Sequence, residues 1–224
     1  MPIRVVVIDD HPVILEALNV VIDATADIQW CGQAVTADGA LELMEKAAPD
    51  IAVVDISLRD SHGLALIGQI HAEYPEIQVV VFSMHRESAY AERAIRAGAL
   101  GYVMKTEPTC RVLEAIRRVA DGDVYLSERV ASHVLSRVVM NGKRTGVDAF
   151  SDQEMVVFQM LGQLFTIKEI ADRLDLSPKT VMAYRRQAKE KLGLDTLDSL
   201  IHHACRWALG WSMTEANASK QALN

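Results

Sequence analysis

The chain has 224 residues, half of them apolar and 24% charged, which excludes a disordered chain and fits a globular protein of one large or two ordinary domains. Its net charge of −7 is unevenly placed: residues 1–124 carry 10 Lys/Arg against 19 Asp/Glu, a balance of −9, and residues 125–224 carry 13 against 11, a balance of +2. That asymmetry predicts two domains with different partners. Cys31, Cys110 and Cys205 are odd in number, widely spaced and set among apolar residues, which speaks against a disulfide or zinc framework and for reduced, buried thiols in a cytoplasmic protein. The chain opens without a signal-peptide pattern, and no apolar run nears the ~20 residues of a membrane helix, so no membrane partner is expected.

In chain order, Arg4 to Ile8 is an unbroken apolar run that reads as a strand buried on both faces, and it ends in Asp9-Asp10. Pro12 to Thr25 has helical spacing, with proline suited to the first turn. A short strand, Ile28 to Ala34, and a helix, Ala37 to Ala48, lead to a second buried strand, Ile51 to Val54, which ends in Asp55. A turn from Ser57 to His62 precedes a helix from Gly63 to Tyr74. Gln78 to Ser83 is a strand, Glu87 to Ala97 a helix, Gly101 to Lys105 a strand and Glu107 to Ala120 a helix. Strands alternating with helices predict a doubly wound five-stranded parallel sheet, an α/β domain over 1–122. Residues 123–147 read as a partly helical linker: Ser127 to Met140 has helical spacing, and Asn141 to Gly146 is polar and glycine-containing.

The remainder is all helical. Ser151-Asp152-Gln153-Glu154 and Thr166-Ile167-Lys168-Glu169 are capping boxes, and Ser177-Pro178 sets an N-cap before a proline at the first helical position. The helix so begun is expected to reach Leu192, and another to run from Leu197 to Leu209. A small all-α domain therefore spans 148–211, followed by a polar tail over 212–224.

Ligand sites of parallel sheets lie beyond the carboxyl ends of the strands. Asp9, Asp10 and Asp55 would converge there if their strands are neighbours, and crowded carboxylates are tolerated mainly around a cation. An all-oxygen cluster suits Mg²⁺. With Gly63, Ser83, Tyr102 and Lys105 at their strand ends and turns, residues 1–122 resemble a response-regulator receiver domain of flavodoxin-like fold. The resemblance implies that Asp55 accepts a phosphoryl group from a sensor histidine kinase. It also implies that Asp9, Asp10, Asp55 and the backbone carbonyl of Ser57 hold Mg²⁺, that Lys105 and Ser83 meet the phosphoryl oxygens, and that Tyr102 acts as the switch. Phosphoryl transfer asks for this kind of positioning and charge neutralisation. Two positions depart from the family: Arg59 stands where proline is usual, and Thr106 follows Lys105 where many receivers have a cis proline. His11, His62 and His85 lie near the cluster without metal-ligand spacing and are expected to be solvated loop histidines.

Residues 150–210 resemble the LuxR-type helix-turn-helix of NarL/FixJ-class regulators. The resemblance is carried by Phe150 to Met155, Thr166 to Ala171, Leu176 to Val181 and Lys191 to Leu194. The helix from Pro178 carries five basic residues against Glu190, with Val181, Ala188 and Leu192 on an inner side, the form of a helix that enters a major groove of double-stranded DNA. Lys179, Thr180, Arg185 and Lys189 are candidates for phosphate contact, and Met182, Ala183 and Arg186 for base edges. Met182 and Tyr184 stand where the family frequently has Lys and His. His202, Arg206 and Trp207 are candidate dimer contacts.

The expected function is a phosphorylation-controlled transcriptional regulator, a homodimer when phosphorylated and not an enzyme beyond its own phosphoryl chemistry. An alternative is a phosphotransfer sink or protein-binding regulator that does not bind DNA. An aspartyl-phosphate hydrolase is disfavoured by the lack of a second acid placed as a general acid and of a substrate cap.

Overall fold

The computed structural model describes residues 1–58, 63–85, 87–128, 130–132, 134 and 146–208. The chain divides into two compact units, Met1–Gly142 and Lys143–Asn224.

In the first unit the strands β1 (Ile3–Ile8), β2 (Ile28–Ala34), β3 (Ile51–Val54), β4 (Gln78–Ser83) and β5 (Ala99–Met104) form one sheet in the order β2-β1-β3-β4-β5. Every pairing is parallel. The helices α1 (Pro12–Asp23), α2 (Ala37–Ala47), α3 (Gly63–Glu73), α4 (Glu87–Ala97) and α5 (Cys110–Ala120) connect and flank the strands. Val5, Val7, Val53, Val80 and Val103 pack with Leu15, Leu18 and Ile22 of α1 and Val112 and Ile116 of α5. Val6, Ile8, Ala52, Val54, Val79 and Val81 are equally buried on the alternate strand positions. Two covered faces explain why the strands read as unbroken apolar runs.

The strand order reverses at β1, which has β2 on one side and β3 on the other. Ile8 pairs with Val54, so the residues that follow, Asp9 and Asp55, leave the sheet side by side. The Asp55 amide donates to the Ile8 carbonyl at 2.9 Å, holding that register one residue beyond β3. On the other side of β3, Ser83 pairs with Met104, and the Lys105 amide donates to the Ser83 carbonyl at 2.8 Å. Gly63 opens α3 against this edge. A Cβ there would lie 2.1 Å from the Asp55 carbonyl oxygen and 2.7 Å from Ile56 Cα, so only glycine lets α3 approach so closely.

α5 starts at Cys110 rather than at Glu107. Pro108 disfavours helical backbone at Glu107, and Glu107 closes a turn instead: its amide donates to the Met104 carbonyl and its side chain accepts from the Met104 amide. Among the described residues every peptide bond is trans, the Lys105–Thr106 link included. The expected turn residues Arg59 to His62 lie outside the described residues. So do most of the expected linker helix and loop, Leu209 and the polar tail; Glu128, Val130 to Ser132 and Val134 are helical.

The second unit begins with a 3₁₀ turn, Gly146–Ala149, and contains α6 (Asp152–Gly162), α7 (Ile167–Arg173), α8 (Pro178–Lys191) and α9 (Leu197–Ala208). Both expected capping boxes form, Ser151 with Glu154 and Thr166 with Glu169, and the Ser177 hydroxyl accepts from the Thr180 amide. The α7–α8 turn passes through Asp175 at φ 51° and is closed by the Leu176 amide on the Ala171 carbonyl. α6 and α9 cross at Gly162, where a Cβ would lie 2.5 Å from the Ala204 carbonyl oxygen. Phe158 anchors the core, with Phe150 at 5.1 Å and Trp207 at 5.7 Å, both edge-to-face. Trp207 thus packs its ring against the core while staying half-buried. The cysteines are less enclosed than expected: Cys31 and Cys205 are half-buried and Cys110 is exposed. His202 is exposed, while Leu200 and Ala204 are the fully buried positions of α9.

Candidate phosphoryl site and nucleic-acid helix

Asp9, Asp55 and Lys105 are brought together at the carboxyl edge of the sheet, each with a side chain only 2% exposed. The Lys105 ammonium lies 2.6 Å from Asp9 Oδ2 and 2.6 Å from Asp55 Oδ2. Burial pushes the Asp9 carboxyl up from its ordinary value, opposed by the hydrogen bond from Lys105 and reinforced by the Asp55 charge. His11 places Nδ1 3.0 Å from Asp9 Oδ1 and 2.8 Å from Asp10 Oδ1. Ligand atoms of Asp9, Asp10, His11 and Asp55 all lie within 4.8 Å of one another, so the cluster is able to hold a metal ion. Asp55 Oδ1 is buried and has no hydrogen-bond partner among the described residues. A buried carboxylate oxygen without a partner is costly unless something else takes it up. Together with the oxygen donors, this orphaned atom fits a hard divalent cation.

The histidines do not all behave as loop residues in water. His11 is exposed but its ring rests on the acidic pair. His85 is half-buried, stacks on Tyr90 at 4.7 Å and puts Nε2 2.6 Å from Ser57 Oγ. Burial pushes its imidazole down from the usual range. Its backbone amide donates to Ser83 Oγ at 3.4 Å, and its carbonyl accepts from the Tyr102 hydroxyl at 2.9 Å. Tyr102 is thus already turned inward, and burial holds its phenol well above its ordinary range. His62 lies outside the described residues. The sequence placed His85 near the cluster but as a solvated loop residue, and gave no sign of its contacts with Ser57 and Tyr90.

In the second unit, Lys179, Met182, Ala183 and Arg186 recur at i, i+3, i+4 and i+7 on α8, and so share a face. Lys179, Met182 and Arg186 are exposed and Ala183 half-buried, while Val181 and Ala188 are fully buried on the inner side. Thr180 is partly spent on the cap, its hydroxyl 2.7 Å from Ser177 Oγ. Lys189 Nζ donates to the Asp195 carbonyl at 3.1 Å, which ties it to the α8–α9 turn. Arg185 is half-buried, with Nε enclosed and without a hydrogen-bond partner among the described residues. Lys191 is drawn inward to Glu154 Oε2 at 2.5 Å, and Glu154 is itself only 3% exposed.

The description "Response regulator receiver domain" matches residues 5–117, and "Bacterial regulatory proteins, luxR family" matches residues 148–204. The transcriptional regulatory protein MctR of Rhizobium johnstonii is 31% identical over 202 residues, covering 90% of this chain and 92% of its own. The response regulator GacA of Pseudomonas aeruginosa is 29% identical, covering 86% and 90%. RcsB of Salmonella enterica serovar Typhimurium, bound to promoter DNA with the phosphomimetic BeF3−, superposes with a TM-score of 0.68 at 21% identity over 91% of this chain and 98% of its own. A sheet with this acidic edge joined to a helical domain with this capped basic helix defines a receiver and its output domain. The chain belongs to the response regulators with a LuxR-type DNA-binding domain.

Proposed function

We propose that Asp55 is the phosphoacceptor and that its phosphorylation by a sensor histidine kinase controls DNA binding by α8. The observation that carries this is the Asp55 carboxylate: one buried oxygen on Lys105 and the other without a hydrogen-bond partner among the described residues, beside Asp9 and Asp10. In the transfer an Asp55 oxygen forms the new O–P bond as the N–P bond to the donor histidine breaks, and the histidine nitrogen keeps the electron pair. Lys105 then has a phosphoryl oxygen to neutralise, and the Ser83 hydroxyl has one to donate to. Asp9, Asp10, Asp55 and the Ser57 carbonyl would hold Mg²⁺, which supplies charge that offsets the repulsion between anionic nucleophile and anionic donor. Tyr102, bonded to the His85 carbonyl, is the residue by which a change at Ser83 reaches the α4–β5 side, the two-state element a switch needs.

On α8, Lys179, Thr180, Arg185 and Lys189 serve phosphate contact and Met182, Ala183 and Arg186 meet base edges. The exposed Lys179 and Arg186 lead these roles, and Lys189 acts from a tethered position. Paired half-sites call for a homodimer, and the RcsB complex on promoter DNA supports the DNA-binding reading by its shared fold. No helix among the described residues is long and apolar enough to cross a membrane.

The test is to treat the full chain and Asp55→Asn with acetyl phosphate and Mg²⁺, and to follow mass, size and DNA binding together. Wild type gains one phosphoryl group, dimerises and binds DNA more tightly, while Asp55→Asn does none of these. Labelling without a change in size or DNA binding would favour a phosphotransfer sink, and no labelling would remove the phosphoacceptor.

A further inference from the structure

Ser57 stands two residues past Asp55 at the start of the β3–α3 connection, and it is exposed. An exposed loop residue whose carbonyl must meet a ligand loses conformational freedom on binding, unless something already holds it. Here the Ser57 hydroxyl is held by the His85 ring at 2.6 Å, from a loop 28 residues away in sequence. The ring is fixed in turn by its stack on Tyr90, whose side chain is fully buried. The same residue meets Ser83 through its N–H and Tyr102 through its C=O. One residue therefore joins the loop beside the carboxylates, the serine expected to meet the phosphoryl group, and the buried tyrosine of β5.

We propose that His85 is a positioning residue for the phosphoryl site, its ring holding Ser57 in place for ligand binding and its backbone passing that placement to Tyr102. The proposal rests on the phosphoacceptor reading of Asp55. It differs from plain packing in a decisive respect: the ring must offer a nitrogen to Ser57 as well as a face to Tyr90. A phenyl ring keeps the face and loses the nitrogen, and threonine keeps the hydroxyl that alanine lacks.

The test is the apparent affinity of the full chain for BeF3− at fixed Mg²⁺, read from backbone amide signals in wild type, Ser57→Ala, Ser57→Thr, His85→Phe and the Ser57→Ala/His85→Phe double variant. One lost hydrogen bond predicts about three- to ten-fold weaker binding in each of Ser57→Ala and His85→Phe. The double variant is then no weaker than the weaker single, because both changes remove the same bond. Ser57→Thr binds more tightly than Ser57→Ala, and the His85 Nε2 resonance moves in Ser57→Ala but not in Ser57→Thr. Additive losses, or unchanged affinity in Ser57→Ala, would overturn the role of His85 while leaving Asp55 as phosphoacceptor. Failure of wild type itself to bind BeF3− with Mg²⁺ would overturn both.

Discussion

Replacing Lys105 by methionine removes the ammonium that lies 2.6 Å from both Asp9 and Asp55, and keeps most of the stem's volume so that no large cavity opens. Removing one partner of a buried ion pair costs about 3–5 kcal/mol, because an uncompensated charge stays behind. Here two carboxylates lose their partner, with Asp10 close by. Part of the cost is avoided if Asp9 takes a proton, since burial already favours its neutral form. The net loss expected in divalent-free buffer at neutral pH is about 3 kcal/mol. For a domain of this size that is a fall of roughly 10 °C in the receiver's melting temperature.

The sign of the charge argument has its own control. Adding Asp55→Asn to Lys105→Met removes one of the stranded charges, so the double variant melts higher than Lys105→Met alone. Saturating Mg²⁺ likewise raises the melting temperature of Lys105→Met, by about 2.7 kcal/mol of stabilisation at a hundredfold excess over its dissociation constant. Calorimetry of the full chain with and without Mg²⁺ reads each of these. If Lys105→Met is as stable as wild type without divalent ions, or if Asp55→Asn deepens its loss, the ammonium does not compensate these carboxylates and the electrostatic account of the site fails.

Gly63→Ala puts a Cβ 2.1 Å from the Asp55 carbonyl, so α3 or Asp55 must move; overpacking predicts a loss of about 1–3 kcal/mol, with slower labelling by acetyl phosphate. Unchanged melting and labelling would show that α3 approaches less closely. His203 lies 6.0 Å from Phe158, and burial, then Arg206 and His202, push its imidazole below 6.5. The unfolded chain therefore binds the proton more readily, so the helical domain loses stability as pH falls below about 6.5. His203→Gln flattens that slope in melts between pH 5 and 8. Lys179→Ala weakens binding to every DNA fragment about equally and reduces the salt slope by about one, whereas Arg186→Ala costs about 1–3 kcal/mol at preferred sites and relaxes preference among them. Filter binding across salt concentrations separates the two.

The sheet was legible because its strands are buried on both faces: runs such as Val5-Val6-Val7 and Ala52-Val53-Val54 have no polar side to present. The output helices were legible from their starts, where Ser151, Thr166 and Ser177 announce caps that form as expected. What was illegible depended on contacts between residues far apart in sequence. Trp207 touches the core because α9 crosses α6 at Gly162, and that crossing brings its half-buried ring to Phe158. The start of α5 was misplaced because Glu107 spends its side chain on the Met104 amide, a local competition that helical spacing does not reveal.

The same holds at the site. Each of Asp9, Asp10, Asp55, Ser83 and Lys105 was identifiable by its place at a strand end, and Tyr102 by its place within β5, but their mutual bonding was not. Three converging carboxylates argue for a cation on charge grounds alone, and the structure shows that Lys105 already supplies part of that charge while the His11 ring takes up carboxylate oxygens. Lys105 spans Asp9 and Asp55, and His11 lies against Asp9 and Asp10. A divalent ion therefore competes with contacts the protein makes by itself, and its affinity is the difference between two compensated states rather than the full Coulomb attraction of three carboxylates. On the proposed reading a site built in this way would load and unload its cation reversibly.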